Sequence, residues 1–374
     1  MRKIQFIGIL LLGLVFILGA CAPKAAPAPA KAPSPAPAPT PAPAPALSEW
    51  DKVLAAGKKE GTITLYNVLG VGLGDAIKAG MKQYGINVET VAGNGGEMQV
   101  RVEVEQRAKA YVADALISGW TNVNNLLAQG YLQPVKATLP SLQEKDVWKM
   151  RPDQHEPTKS GFIYATAITP SVLANTDLVR KGEIQSWSDL LDPRWAGKIV
   201  MSDPRPGQGP GSAGISAWST VLGEEFWKKL AAQRVTLHIR YEIPVNQVTF
   251  GEKAIAIFPA YSQSVAAIKA GAPMQIMHLK EGTSYYVNGV GFIANAPHPN
   301  AVLVLLNWMF SKEGQAAMGR AMETYTVRKD VSEDWFKIAE LRPGTFTFLE
   351  PPNNLDPESS KRGGVFGKTI FGAQ

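Results

Sequence analysis

Between residues 62 and 292, short runs rich in β-branched and aromatic residues alternate with stretches of helical apolar spacing. That alternation restricts the chain to α/β architectures with a largely parallel sheet. In "SEWDKVLAAGKKEG", Ser48 is a candidate N-cap, Trp50, Val53 and Leu54 fall at helical spacing, and Gly61 supplies the stop. "TITLYNV" then has the content of a strand, and "GDAIKAGMKQYGINVETVAGNGGE" reads as helix, strand and glycine-rich turn. Val100, Val104, Ala108 and Tyr111 predict a further helix before the short apolar strand of "ADALISGW".

The same rhythm continues. "SGFIYATAIT" is a strand, "SWSDLLDPRWAGKIVMSDP" a helical turn and a strand, and "SAGISAWSTVLGEEFWKKLAAQ" one long amphipathic helix. "GEKAIAIFPAYSQSV" gives a strand, a Pro-Ala break and a helix that opens on Tyr261 and Ser262. A strand around Tyr285 and Tyr286 leads through "PHP" into "NAVLVLLNWMF", so apolar that it must be buried. The glycine-rich end, "ESSKRGGVFGKTIFGAQ", is expected to gain little from ordering.

The N-terminal residues stand apart. "MRKIQFIGILLLGLVFILGA" places two cations before an apolar run ending in small residues, the layout of a secretory signal segment over residues 1–20. Cys21, the one cysteine of the chain, follows in "LGAC", which resembles the bacterial lipobox and makes Cys21 the expected lipidation site. Residues 22–46 are almost entirely Pro and Ala, so polyproline-type extension is expected, reaching up to about 75 Å as a membrane tether.

At 374 residues, 45% of them apolar, the chain can bury more than one core. Its formal charge of +6 includes Arg2, Lys3, Lys24 and Lys31, so residues 47–374 carry 34 basic against 32 acidic side chains (38 less those 4, against 32) and offer no basic surplus for nucleic acid. With one cysteine there is no disulfide or thiolate metal site. His155, His238, His278 and His298 lack metal spacing, and neither "GQGPGS" nor "GNGGE" matches a phosphate-loop or dinucleotide pattern. Neither a catalytic constellation nor a cofactor site is expected.

Four stretches, "EGTITLYNV", "SWSDLLDPRWAGKIVMSDPR", "FGEKAIAIFPAY" with "AAIKAGAP", and "NGVGFIANAPHPNAVLVLLNWMFSKEGQ", resemble in order the bacterial extracellular solute-binding proteins of the type II periplasmic fold, on the branch of the ferric-iron binders. The resemblance implies two α/β lobes, each with a mixed sheet flanked by helices, joined by two hinge strands near residues 162–167 and 287–292. Lobe 1 would take residues 47–160 with 290–325 returning to it, lobe 2 residues 161–289, and residues 326–374 would pack on lobe 2. A monomer would clamp a small-molecule solute and deliver it to an ABC transporter permease, outside the cytoplasm and held to the membrane by its lipid.

In the iron binders two consecutive tyrosines ligate ferric ion; here the matching places hold Tyr261 and Ser262, and the places of a histidine and a carboxylate hold Gly70 and Gly119. One tyrosine among glycines and a serine is a poor ferric site, so a small polar or anionic organic solute is the expected cargo. Iron, or ligand presentation to a membrane sensor, is the alternative. Ligands of open α/β lobes gather at the carboxyl ends of strands and the amino ends of helices. The candidates there are Asn67, Asn94, Gly95, Ser118, Trp120, Arg205, Ser212, Tyr261 and Ser262, with Tyr285 on the later crossing strand. Several have plain structural uses as well: a turn for Asn94 and Gly95, core for Trp120, a rim ion pair for Arg205 and a helix cap for Ser212.

Overall fold

The computed structural model describes residues 47–207, 209–349 and 358–372. The expected signal segment, Cys21 and the Pro/Ala tract lie outside them. In chain order the elements begin with α1 (Glu49–Glu60), β1 (Thr62–Asn67), α2 (Val71–Lys82), β2 (Asn87–Ala92), α3 (Gly95–Ala108), β3 (Ala115–Gly119), α4 (Trp120–Ala128), a short α5 (Pro140–Gln143) and β4 (Gly161–Ile168). Then come β5 (Val172–Asn175), β6 (Ile199–Ser202), α6 (Gly209–Ala232), β7 (Thr236–His238), α7 (Glu242–Thr249), β8 (Ile255–Ile257), α8 (Tyr261–Lys269) and β9 (Met274–Met277). The chain closes with β10 (Tyr285–Phe292), α9 (Pro299–Phe310), α10 (Lys312–Met322), β11 (Tyr325–Thr326) and α11 (Ser359–Phe371).

Two mixed sheets result, each with its own core. The first has the order β11-β4-β10-β3-β1-β2, with β1 parallel to β2 and β3 and β10 antiparallel to both β3 and β4. The second has the order β7-β6-β8-β5-β9, with β6 parallel to β7 and β8 and β5 antiparallel to β8 and β9. Period-two alternation sends Leu65, Ile117, Phe162 and Val290 to one face of the first sheet, under α2 and α9, and Tyr66, Leu116, Ile163 and Val287 to the other, under α4. Helix α9 is buried almost all round, as its composition requires.

The chain passes between the sheets twice, at residues 169–171 and 278–284. Both β4 and β10 run within the first sheet, Ile168 opposite Tyr285 and Gly161 opposite Gly291. Ser284 Oγ donates to the Thr169 carbonyl at 3.2 Å, and Trp218 Nε1 donates to Ser171 Oγ at 3.1 Å and Ser284 Oγ at 3.3 Å. One indole N–H thus ties the two passages together.

Three sequence expectations change in detail. The long helix predicted over residues 212–233 is interrupted at Gly223, whose φ of 73° and ψ of 162° no helix tolerates. Helix α3 forms, but Val100 and Val104 lie on its exposed side while Met98 and Val102 face the sheet. The capping box of Asn94 and Glu97 fixes where that helix starts, and so which face turns inward. The C-terminal residues, expected to order weakly, form α11, which packs along α6. Phe366, Ile370 and Phe371 join the second sheet's core, and Gly363 makes the contact close: a Cβ there would sit 2.0 Å from the Ser212 carbonyl oxygen.

Candidate functional site

A cavity of about 480 Å³ opens where elements of both sheets meet. From the first sheet and its helices come Leu69 after β1, Tyr286 and Asn288 of β10, and the C-terminal end of α10 with Arg320, Met322, Glu323 and Thr324. From the second come Tyr261, Ser262, Val265, Ala266 and Lys269 of α8.

The backbone is bent to present Tyr261. At the end of β8, Phe258 takes φ +50°, the left-handed region that a bulky side chain avoids, and Pro259 follows. The conformation is held by the Phe258 ring in an aromatic core, by its N–H donating to the Ser171 carbonyl at 3.0 Å, and by Ser202 Oγ donating to its carbonyl at 2.8 Å. The chain then enters α8 directly at Tyr261, with no side-chain cap on the first turn. The Tyr261 hydroxyl reaches across to donate to the Glu323 carbonyl at 3.2 Å, and Lys269 pairs with the Glu323 carboxylate.

Burial raises the Tyr261 phenol well above its ordinary value, helped by the neighbouring Tyr286 and Glu323. Burial likewise pushes Tyr286 up to about 12. Both hydroxyls stay protonated near neutral pH; that of Tyr261 is given to the Glu323 carbonyl, and that of Tyr286 can donate. Two further oxygens, on residues that line the same cavity, are buried without a hydrogen-bond partner: Asn288 Oδ1 and Thr324 Oγ1.

Of the residues singled out in the sequence, Tyr261 and Ser262 line this cavity; Ser262 Oγ donates to Gln263 Oε1 at 2.7 Å. The others lie elsewhere. Asn67 closes its own turn, accepting from Leu69 N at 2.9 Å and donating to the Gly70 carbonyl at 2.8 Å. Asn94 caps α3; Gly95 leaves room for Asn122, which donates to Ser118 Oγ at 2.7 Å. Trp120 is core, under Gly161 and Gly289. Arg205 grips the buried Asp203 carboxylate through Nε and Nη2 at 2.7–3.1 Å, and Ser212 Oγ donates to the Pro204 carbonyl at 2.6 Å. Tyr285 points to the opposite face of β10 from Tyr286, as strand alternation requires, and lines a different cavity. Tyr286, Asn288, Lys269 and Thr324 were not among the sequence candidates. For Tyr286 the Tyr-Tyr pair was the available signal; the others needed the fold.

The sequence model of the family described as bacterial extracellular solute-binding protein matches residues 75–343. Spermidine/putrescine-binding periplasmic protein 1 of Haemophilus influenzae is 24% identical over 207 residues, 51% of this chain and 54% of that protein. Among solved structures, iron-bound HitA from Pseudomonas aeruginosa aligns with a TM-score of 0.63 at 20% identity, over 83% of this chain and 99% of that one. The periplasmic binding protein AfuA from Actinobacillus pleuropneumoniae, with fructose-6-phosphate bound, aligns with a TM-score of 0.62 at 16% identity, over 84% and 99% of the two chains. The structural likenesses carry the bilobal architecture, with one sheet to each lobe. The family match spans well over half of the sequence, and the chain belongs to the bacterial extracellular solute-binding proteins, with the type II periplasmic-binding fold.

Proposed function

We propose that this protein captures a small polar or anionic organic solute between its lobes and hands it to the permease of an ABC transporter, binding it without chemical conversion. The observation that carries the choice of solute is the chemistry of the interlobe cavity. The Tyr286 phenol can donate, the Tyr261 oxygen can accept while its O–H is held by the Glu323 carbonyl, Asn288 Oδ1 and Thr324 Oγ1 are buried in the lining without partners, and Lys269 and Arg320 stand at the wall. A molecule with both oxygen acceptors and hydroxyl or amine donors satisfies all of these; an apolar one would leave buried polar atoms unpaired.

The test begins with mass spectrometry of the molecule that co-purifies with protein lacking residues 1–46, followed by its calorimetric titration into variants. Tyr261→Phe should weaken binding by about 0.5–1.5 kcal/mol, one neutral hydrogen bond, and Tyr261→Ala should cost more by removing a wall of the cavity. Small-angle scattering over the same titration should show contraction, as lobes turning about the two interlobe passages close on the solute. Wild-type affinity in Tyr261→Ala would remove the solute from this cavity.

Ferric ion is the second reading, favoured by Tyr286 standing where a second phenol could join Tyr261. Against it, the described residues contain no cluster of three His, Cys, Asp or Glu side chains that could join the two phenols in holding a metal. Ferric citrate should therefore raise no visible phenolate-to-iron band. A band lost in both Tyr261→Phe and Tyr286→Phe would establish iron as the cargo.

The sequence "LGAC" supports a lipid anchor at Cys21 with the Pro/Ala tract as spacer. Cys21→Ser should incorporate no labelled palmitate, and should accumulate as precursor or leave the membrane fraction. Labelling equal to wild type would exclude Cys21 as the acceptor.

A further inference from the structure

Directly behind the interlobe cavity, on the opposite face of β10, lies a second cavity of about 330 Å³. Its walls are Tyr285 of β10, Thr166 of β4, Tyr325 and Thr326 of β11, Met150, and the aromatic pair Phe346 and Phe348 from the segment that follows Pro343. The rings pack around it, with Tyr285 4.6 Å from Phe348, Tyr325 5.6 Å from Phe348 and 5.7 Å from Phe346, centroid to centroid.

Two of the polar side chains inside are already paired. The Tyr325 hydroxyl donates to the Leu341 carbonyl at 2.7 Å, and Thr326 Oγ1 bonds the Arg328 carbonyl and Glu333 Oε1 at 2.9 Å each. With these groups engaged and aromatic rings forming much of the wall, a guest gains chiefly by burying apolar surface. Among the described residues that line it, Lys149 is the cation: its ammonium, on a side chain 39% exposed, meets Glu333 Oε1 at 2.6 Å, which takes one of its three N–H groups.

We infer that this cavity is a second ligand site, distinct from the solute cavity, for a small arene carrying one anionic group: the ring goes among Tyr285, Tyr325, Phe346 and Phe348, and the anion goes to Lys149. A stack of this kind fits the offset and edge-on arrangements the four side chains already adopt. The two cavities share β10 as a wall. Tyr285 serves one and Tyr286 the other, so filling the rear cavity fixes the strand from which the solute cavity is built. The rear site thus sets the freedom of the passage between lobes, and the two ligands influence each other reciprocally.

The probe is 8-anilinonaphthalene-1-sulfonate, an arene with one anionic group, titrated into the folded protein and followed by its fluorescence. The expected result is saturable one-to-one binding. It should weaken at least tenfold in Met150→Trp, which fills the cavity, and about threefold to tenfold in Lys149→Gln, which removes the charge and keeps most of the stem. Ser262→Trp, which crowds the solute cavity instead, should retain probe binding within about twofold. Circular dichroism melts for all three variants identify any that fail to fold, and Lys149→Gln decides if Met150→Trp does. Unchanged binding in both rear-cavity variants, loss in Ser262→Trp alone, or no saturable binding to wild type would each overturn the site.

Discussion

Trp187→Ala should destabilise the protein by about 3–5 kcal/mol, the cost of deleting a fully buried indole and leaving its cavity. Trp187 has no solvent exposure and lies in the middle of the second sheet's aromatic core, 4.9 Å from Trp218, 5.7 Å from Trp227, 5.8 Å from Phe258 and 5.9 Å from Phe226. Its own Nε1 is buried without a partner, so no hydrogen bond is lost and the effect is one of packing. Two of its neighbours carry the damage toward function. Trp218 holds the two interlobe passages together, and Phe258 holds the left-handed turn that presents Tyr261. Urea denaturation should show the loss of stability, and solute affinity should fall with it. Trp187→Phe should recover much of both. A loss of less than about 1 kcal/mol would show that the neighbouring rings collapse into the gap.

The second large effect is expected at Arg328. Its side chain is 1% exposed, yet it carries a full charge: it binds both oxygens of Glu144 at 3.2 and 2.6 Å, both oxygens of Asp330 at 2.8 and 2.9 Å and the Phe310 carbonyl at 3.0 Å, and it lies 5.1 Å from the Trp148 ring centre. Arg328→Met keeps the volume and removes every donor, which should cost about 2–3 kcal/mol, less than a fully buried pair because Glu144 and Asp330 still reach water. The pair also sets a pH dependence. Hydrogen bonding to Arg328 depresses the Asp330 carboxyl below its ordinary range, so its contribution is complete above the unfolded value near pH 4, roughly, and is lost as pH falls through the lower folded value. Wild type should therefore lose more stability than Arg328→Met between pH 6 and pH 3 in thermal melts. Equal losses would assign the acid sensitivity to other carboxylates.

The strands and helices were legible in the sequence because each is written in one period. "TITLYNV", "SGFIYATAIT" and "NAVLVLLNWMF" carry the alternation or the apolar run that their final places require. The α/β class followed from their order; the largely parallel sheet expected from it is corrected to two mixed sheets, in which β10 and β5 run antiparallel to their neighbours, and the two lobes were implied by the family resemblance. What stayed hidden depended on rotation and on local polar pairing. Helix α3 offers two apolar pairs four residues apart, Met98 with Val102 and Val100 with Val104, and composition alone could not choose between them. Tyr285 and Tyr286 are equivalent in the sequence, and the register of β10 sends them to opposite faces. Arg205 looked available to a ligand, but Asp203 two residues earlier takes its fork. Asn288, Lys269 and Thr324 come from three elements far apart in the chain, so no local pattern could have joined them.

The two passages between sheets have a consequence for assembly. Every strand of the second sheet falls between residues 172 and 277, whereas the first sheet has β10 inserted between β4 and β3 and is discontinuous until residues 285–292 are present. The second lobe's sheet is in effect an insert, carried on adjacent antiparallel strands whose ends face each other at Ile168 and Tyr285. When the chain emerges N-terminus first, this sheet has all its strands while the first is still divided into two pieces, β1 to β3 and β4. The second sheet is thus complete in strands before the first, which begins the chain yet gains its last central strand, β10, later, while the second lobe's core still awaits α11.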